Sequence, residues 1–295
     1  MKKLFITAAL LVSVFTSFAS EMREVVNETY LPAQVKKIEV NFASGKATFK
    51  TSHSNQIQVI VLGEEGGTIP TVAVSAGTLS IKTKLLSNFK KKHEIQITVP
   101  SGLEFENISL ITASAAVGFD GIRSDSVDLT TTSGTVNMKN CDFAKYMKIN
   151  GASGKISLSD INTKGLTTSA VSGEVSLSNT RSDFIRIEAV SGKINCEKTN
   201  TGMFEIQCVS GTINLDLVKM VGNDSFAKNT SGTISLTVPK NSAYSAKVNT
   251  TTGKFTDGIT GISASNCDDL VSANKKGGPT LKLSSLSGNI SISSR

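Results

Sequence analysis

Six serines recur at nearly equal intervals, and they are the side chains that most suggest nucleophilic chemistry. Each stands directly before a glycine or its equivalent in the repeat: Ser133, Ser153, Ser172, Ser191, Ser210 and Ser231. A catalytic serine is a single residue activated by a neighbouring base, whereas these six occupy equivalent positions. The repetition therefore predicts a ladder of hydroxyl groups that bond to the backbone, and it argues against a hydrolase.

The chain has two histidines, His53 and His93, and both precede the region that carries the repeated serines. Neither accompanies a nucleophile motif. A cluster of His53, His93 and Glu94 in the N-terminal third would change this interpretation, because it would supply a base. Without such a cluster, we expect no catalytic residue, no cofactor and no hydrolytic or lyase activity.

Three aspartates raise the alternative of a carbohydrate-active enzyme of the parallel β-helix type. Such enzymes need acidic side chains that converge in one groove. Asp142, Asp160 and Asp183 lie in successive connections, but they stand at different offsets from the repeated glycine. Because they form no single column, solvated turn residues are the better interpretation.

The repeated serines belong to a Ser-Gly or Thr-Gly dipeptide that divides the chain into units. The spacings between consecutive glycines are 20, 19, 19, 19, 21 and 21 residues, for Gly134, Gly154, Gly173, Gly192, Gly211, Gly232 and Gly253. Related positions extend the series at both ends: Gly45, Gly77, Ala115 and Gly288. A constant period of this size is typical of solenoids, and a glycine that accepts positive φ suits a structural corner.

Residues on both sides of the corner alternate between apolar and polar, as in strands with one buried face. The second residue after the glycine is always apolar, and we expect one interior column of Val136, Ile156, Val175, Ile194, Ile213 and Ile234. The fourth residue is apolar as well, except at Asp257. A polar connection of roughly seven residues completes each unit.

The outward charges indicate how successive units pack. Lys155, Glu174 and Lys193 occupy the same position in three consecutive units. In-register parallel coils would place such residues about 4.8 Å apart, where opposite charges attract. We therefore predict an all-β fold, a single-stranded right-handed β-solenoid (β-helix) of roughly 19-residue coils.

The spacing also predicts the organisation of the chain. We expect one β-solenoid domain over residues 20–295, with regular coils at 121–260. Longer gaps between the marks predict irregular N-terminal coils and a cap over 20–120, and a C-terminal cap over 261–295.

The interior Leu-x-Leu-x-x-x-Ser-Gly-x-Val units and the closing run from Gly277 to Ile292 resemble the bacterial "putative-adhesin" β-solenoid family, a domain of unknown function. The resemblance spans about Ile38 to Ile292. It implies the β-solenoid fold and, as a family-level label only, an adhesin. The departures are Ala115 and Ala76 in the corner dipeptide and Asp257 in the apolar column.

Residues 1–19 are predicted to be a secretory signal peptide. Lys2 and Lys3 precede an uncharged apolar stretch that ends at Phe18, and Ala19 offers a small residue at a cleavage site. The stretch is short for a transmembrane helix, so we expect no transmembrane span after cleavage. The mature chain would be exported to the periplasm, the cell surface or the medium.

Charge defines one further candidate contact. The formal net charge is +7, or +5 without the two signal lysines. The densest basic cluster is Lys90, Lys91 and Lys92, for which we weigh contact with anionic headgroups or envelope phosphates against a solvated loop. Nucleic-acid binding is not expected, because a basic stripe with interleaved aromatic residues is absent.

Four cysteines raise the question of disulfides. Cys196 and Cys208 occupy inward positions in adjoining units, where either a bridge or two buried thiols would fit. Cys141 and Cys267 are far apart in sequence. We favour free thiols, and none of the spacings is a zinc pattern, so no metal site is predicted.

These observations together predict an exported, non-enzymatic interaction module of the cell envelope. Its ligand would be an envelope or host-surface glycan or protein. The alternatives are the carbohydrate-active enzyme and a purely structural envelope protein. A uniform polar face would favour binding or structure, whereas a deep groove lined by two or more carboxylates would favour the enzyme.

Overall fold

The computed structural model describes residues 22–83, 91–220 and 222–295, with the side chain of residue 220 left aside. The predicted signal peptide and Lys90 lie outside these residues. Within them the chain is almost entirely strand, with one short 3₁₀ helix at Pro32–Gln34. The strands are β1 (Met22–Tyr30), β2 (Lys37–Ser52), β3 (Ile57–Glu64), β4 (Thr71–Ser75), β5 (Thr78–Lys82), β6 (His93–Pro100), β7 (Glu104–Asp120), β8 (Arg123–Ser178), β9 (Arg181–Met220), β10 (Ser225–Val238), β11 (Tyr244–Thr252), β12 (Lys254–Asp257), β13 (Ser263–Ser265), β14 (Leu270–Asn274), β15 (Thr280–Ser287) and β16 (Ile290–Ser294).

The centre of the molecule is a stack of parallel coils. Strands β7, β8, β9 and β10 pair in parallel in that order, and β8 is long enough to form several successive coils without a break. Val175 pairs with Ile194 and Ile213 pairs with Ile234. All members of the predicted interior column are buried: Val136, Ile156, Val175, Ile194, Ile213 and Ile234. The fold is therefore a β-solenoid-like stack with its core enclosed by the coils.

The C-terminal coils do not follow the order of the chain. Strands β15 and β16 lie between β10 on one side and β11 and β12 on the other. Gly288 is thus inserted between Gly232 and Gly253, whereas the sequence predicts that it follows Gly253. The reason is that β13 and β14 turn back after β12 and pair antiparallel with β12 and β11. They cover the outer edge, so the last segment pairs with the edge that remains open.

The N-terminal coils show the same inversion. Strand β2 lies between β7 on one side and β5 and β6 on the other, all in parallel. Antiparallel strands again close the end, with β3 on β6, β1 on β3 and β4 on β5. At both ends, therefore, the order of the coils in space differs from their order in the chain, and antiparallel strands complete the end.

The alignment of Gly77 with the corner glycines is wrong. Leu79 pairs with Ile38, which belongs to the strand before a corner and not to the strand after it. Ala76 and Gly77 have φ of 47° and 78° and connect the antiparallel strands β4 and β5. Two consecutive residues at positive φ are the geometry of a tight hairpin turn. The corner of that coil is occupied by His93, which pairs with Gly45.

The predicted polar connection is also wrong, because strand structure continues through it. Four central coils have a third run with two buried positions, seven and nine residues after the corner glycine. They are occupied by Cys141 and Phe143, Ile161 and Thr163, Thr180 and Ser182, and Thr199 and Thr201. The pattern escaped detection because threonine and serine fill most of these positions. Their hydroxyl groups bond locally, as in Thr201 Oγ1 to the Met203 carbonyl oxygen at 2.8 Å.

Candidate functional site

The corner glycines allow the backbones of neighbouring coils to approach closely. The eight predicted glycines have φ between 123° and 159°: Gly134, Gly154, Gly173, Gly192, Gly211, Gly232, Gly253 and Gly288. A Cβ atom on Gly154, Gly173 or Gly192 would lie 1.8 Å from the carbonyl oxygen of the glycine in the preceding coil. No side chain fits at that distance. We call this column the glycine corner.

The serines beside the glycine corner bond to the backbone of the preceding coil. Ser133 Oγ donates to the carbonyl oxygen of Ala113 at 3.5 Å, and Ser191 Oγ donates to that of Val171 at 3.4 Å. Ser153 Oγ donates to the carbonyl oxygen of Thr132 at 3.4 Å. These long hydrogen bonds tie one coil to the next.

A groove of about 680 Å³ runs along the residues that precede the glycine corner. Three columns line it. The position three residues before each glycine is small, and it is occupied by Gly151, Ala170, Ala189 and Cys208. The position two residues before each glycine is apolar in the same four coils, and it is occupied by Ala152, Val171, Val190 and Val209. We call this feature the valine groove.

The third column of the valine groove is polar. It lies four residues before each glycine and consists of Thr130, Asn150, Ser169, Glu188, Gln207 and Lys228. The groove thus has one apolar side and one polar side over a lining of small residues. The alternation of the strand places both sides on the outer surface, because residues two apart point the same way.

The valines of the groove are unusually exposed for their type. Val171, Val190 and Val209 are 53%, 49% and 50% exposed. The outward column one residue after the glycine corner is polar by contrast, and Lys155 Nζ lies 3.0 Å from Glu174 Oε2 in the next coil. A stacked row of apolar side chains on such a surface marks an interaction site. The repeated motif Ala-Val-Ser-Gly carries the sequence signal for it, which the sequence analysis missed.

Lys228 lies at one end of the valine groove, and two further lysines, Lys282 and Lys247, lie in the next two coils. Lys282 pairs with Lys247 on one side of its coil. On the other side lies the coil of Lys228, which is opposite Ser284. All three side chains are exposed, and among the described residues none of them has a carboxylate oxygen within ion-pair distance. Asp224 lies close enough to Lys282 and Lys247 to interact with both electrostatically. A hydrogen bond from the Thr280 backbone, with Lys282 and Lys247 nearby, lowers the pKa of its carboxyl group. We call the three lysines the basic end.

The structure does not assemble His53, His93 and Glu94 into one site. Gly45 pairs with His93, while Ser52, just before His53, pairs with Pro100. The two histidines therefore lie at opposite ends of this strand pair. His93 is buried, with Nε2 2.9 Å from the Thr68 carbonyl oxygen. Glu94 forms an ion pair with Lys46 instead, with Oε1 3.5 Å from the Lys46 Nζ atom.

The three aspartates remain dispersed as well. Asp142 Oδ1 accepts a hydrogen bond from Asn162 at 3.1 Å, and Asp160 accepts one from Asn179. Asp142 and Asp183 line a common surface cleft, but a further coil lies between the coils that carry them. Arg181 and Lys164, both basic, line the same cleft. The arrangement compensates charge and provides no isolated pair of carboxyl groups for acid–base catalysis.

The predicted lysine contact is only partly described. Lys91 Nζ donates to the Glu65 carbonyl oxygen at 2.9 Å and is therefore engaged within the protein. Lys92 lines a cleft of about 460 Å³ beside Ser44, His93 and Ser114. Of the two described lysines, Lys91 is thus bonded within the protein, whereas Lys92 lies at a surface cleft.

All four cysteines carry free thiols, and Cys196 and Cys208 are not bridged. Burial raises the pKa of the Cys196 thiol to about 12 and that of Cys141 to about 11, and it also raises the pKa of Cys208. Protonated thiols are poor nucleophiles and poor ligands. Across the described ranges, no group of three or more His, Cys, Asp or Glu side chains is placed to hold a metal ion.

Parallel coils with a glycine corner define a β-solenoid-like protein. The chain belongs to the Toastrack DUF4097 family, which matches residues 35–293. This finding confirms the resemblance identified from the Ser-Gly units. None of the curated proteins matches the chain.

Several solved structures are similar to the chain at low identity. A "putative lipid binding protein" from Parabacteroides distasonis is 14% identical, with 90% of this chain and 96% of that chain covered and a TM-score of 0.51. A "putative adhesin" from the same species is 12% identical, with 92% and 98% covered and a TM-score of 0.44. One from Bacteroides fragilis is 14% identical, with 92% and 96% covered and a TM-score of 0.42. At these identities the likeness concerns the fold alone.

Among the residues that the structure describes, no helix has the length and apolar character needed to cross a membrane.

Proposed function

We propose that this protein is an exported, non-enzymatic adhesin or envelope interaction module that engages its partner through the valine groove. Residues 1–19 would direct export, and the mature chain would form a right-handed β-solenoid of roughly 19-residue coils in the periplasm or at the cell surface. The observation that carries the proposal is the exposed row Val171, Val190 and Val209, in which three consecutive coils place a valine at the same outward position.

The absence of catalytic chemistry is part of the proposal. Three of the six equivalent serines donate to backbone carbonyl groups, and the three aspartates have amide or basic neighbours. The buried thiols are held protonated by their surroundings. Panels of polysaccharide, ester and peptide substrates should therefore give no turnover. Activity that Ala substitution of His93 abolishes would favour the enzyme alternative.

Binding to isolated envelopes and to host cells tests the proposed role of the groove. The triple variant Val171→Ser, Val190→Ser and Val209→Ser should lose binding, because it removes the apolar row and keeps small side chains. The matched control is Val218→Ser, since Val218 is 42% exposed and lies outside the groove. Binding that survives the triple variant, or that the control reduces equally, contradicts the proposal.

A further inference from the structure

The lining of the valine groove favours an occupant that needs few hydrogen bonds. Ala170 and Ala189 lie in the parallel ladder, so the backbone groups between their coils are already paired. A peptide strand could not add to the sheet here, because β-augmentation needs an open edge. The groove lining also contains no aromatic ring on which a base could stack. A flexible apolar chain matches this lining best.

The shape of the valine groove is also suited to a linear chain. The apolar side passes from Ala152 through Val171 and Val190 to Val209, one residue per coil. At about 4.8 Å per coil this row extends for about 14 Å. The groove volume of about 680 Å³ falls within the usual range for small-molecule sites, roughly 300–1,000 Å³.

The charges around the groove give the occupant a direction. The basic end offers Lys228, Lys247 and Lys282 at one extreme, while Thr130 and Thr132 line the other. Glu188 lies on the polar side near the middle and would repel an anion placed there. An anionic group is therefore favoured at the basic end only, with the apolar chain directed away from it.

We propose that the valine groove binds a medium-chain fatty acid, with its acyl chain along the valine row and its carboxylate at the basic end. This inference rests on the proposed function, in that it names a ligand class for the same groove. It involves association alone, with no covalent step.

Calorimetric titration of the purified protein with decanoate and dodecanoate, below their micelle concentrations, tests the inference without any substitution. Each methylene group in a half-open apolar groove should improve the affinity about twofold, so dodecanoate should bind about fourfold more tightly than decanoate. Dodecyltrimethylammonium, with the opposite charge, should bind more weakly than dodecanoate. Equal affinities for the two fatty acids, or tighter binding of the cation, would overturn the inference.

Two substitutions locate the site. Val190→Asp should weaken dodecanoate binding at least about tenfold, because it places a carboxylate in the apolar row. Val218→Asp is the control and should leave the affinity unchanged. Lys228→Gln should weaken dodecanoate about threefold and leave dodecanol unaffected, since only the fatty acid carries a charge. A weakening by the control equal to that by Val190→Asp would overturn the inference.

Envelope binding and fatty-acid binding are separate measurements, so their failures are distinguishable. Valine-dependent envelope binding without dodecanoate binding would overturn the fatty-acid inference and leave the proposed function in place. Dodecanoate binding without envelope or cell binding would overturn the adhesin role alone. Far-UV circular dichroism and the melting temperature of each variant establish that it is folded.

Discussion

The coils at the centre of the stack and those at its ends differ in which segments of the chain they pair with. From β7 to β10, each coil lies beside the coil that precedes it in the chain, as Asn162 beside Arg181 illustrates. At the C-terminal end, Ser287 pairs with both Ser231 and Thr252, so the last segment lies between two earlier ones. The N-terminal end has the same inversion around β2.

This difference follows from what each coil must cover. A central coil has equivalent partners above and below, so its sequence period alone identifies them. A terminal coil would expose the core on one side, and here antiparallel strands that follow by short turns cover it. Antiparallel closure also protects the outer edge against pairing with other chains. The ends are therefore specified by pairing that the repeat does not encode.

Deletions should reveal this difference most strongly. Removing residues 162–180 excises one central coil and brings Arg181 to the position of Asn162, so we expect a folded protein with a modestly lower melting temperature. Removing residues 280–295 eliminates Leu281, Leu283, Ile290 and Ile292 from the core. At roughly 1.5–3 kcal/mol for each buried side chain, this loss is comparable to the whole stability of many proteins.

Thermal unfolding followed by circular dichroism, with size-exclusion chromatography, measures both deletions. Equal melting temperatures for the two shortened chains would show that the inserted segment is not required to hold the C-terminal coils together.

The next largest effect should come from the glycine corner in the centre. In Gly192→Val, the new Cβ would meet the Gly173 carbonyl oxygen at 1.8 Å, in a backbone with φ of 127°. We expect a loss of at least about 3 kcal/mol in the free energy of unfolding. Asn195→Val on the outward side of the same coil should change it by about 0.5 kcal/mol or less. Urea unfolding compares the two, and similar midpoints would contradict the proposed backbone constraint.

The sequence was sufficient to predict the central coils because each of their signals repeats. The alternation of Lys155 and Glu174 predicted parallel register, and their side chains form an ion pair at 3.0 Å. The repeat pattern could not predict where β15 and β16 insert, since every coil offers the same apolar columns to a partner. The groove was missed for a related reason. Alternation predicts that Val190 points outward, but it does not tell whether an outward valine is covered.

A third effect should be confined to the last C-terminal coil, where Asp257 at the end of β12 interrupts the apolar column. Burial opposes its ionisation, but hydrogen bonds from Ser272 Oγ and Tyr244 Oη, both 2.7 Å long, outweigh burial and lower its pKa. The backbone N–H groups of Ile259 and Thr260 donate to its other oxygen. Asp257→Ala would leave these donors without an acceptor, and we expect a loss of about 3 kcal/mol.

This contribution should depend on pH with a definite sign. Because the folded pKa of Asp257 is lowered, its stabilisation is present above the pKa of aspartate in the unfolded chain, about 3.9, and is lost as the pH falls through the folded value. The gap between the urea midpoints of the wild type and Asp257→Ala should therefore narrow below about pH 4. Asp142→Ala, at an exposed position, serves as control. A gap that widens in acid would contradict the assignment.

The smallest effect should distinguish the glycine corner from a second corner six residues later. Asn140, Asp160, Asn179 and Lys198 all have φ near 50°, and their side chains show that this corner has room for a Cβ atom. The cost there is one of conformation, about 1 kcal/mol for an alanine in the left-handed region.

Asn140→Ala should lose about that amount of stability, together with the hydrogen bond from Asn140 Nδ2 to Asp120 Oδ1 at 3.1 Å. Asn140→Gly loses the same hydrogen bond but adopts positive φ freely, so its urea midpoint should lie above that of Asn140→Ala. At Gly192 the obstacle is the Gly173 carbonyl oxygen of the preceding coil, and even alanine should cost more than it does at Asn140. If Gly192→Ala and Asn140→Ala proved equally stable, close approach of the coils would not be the reason for glycine at the first corner.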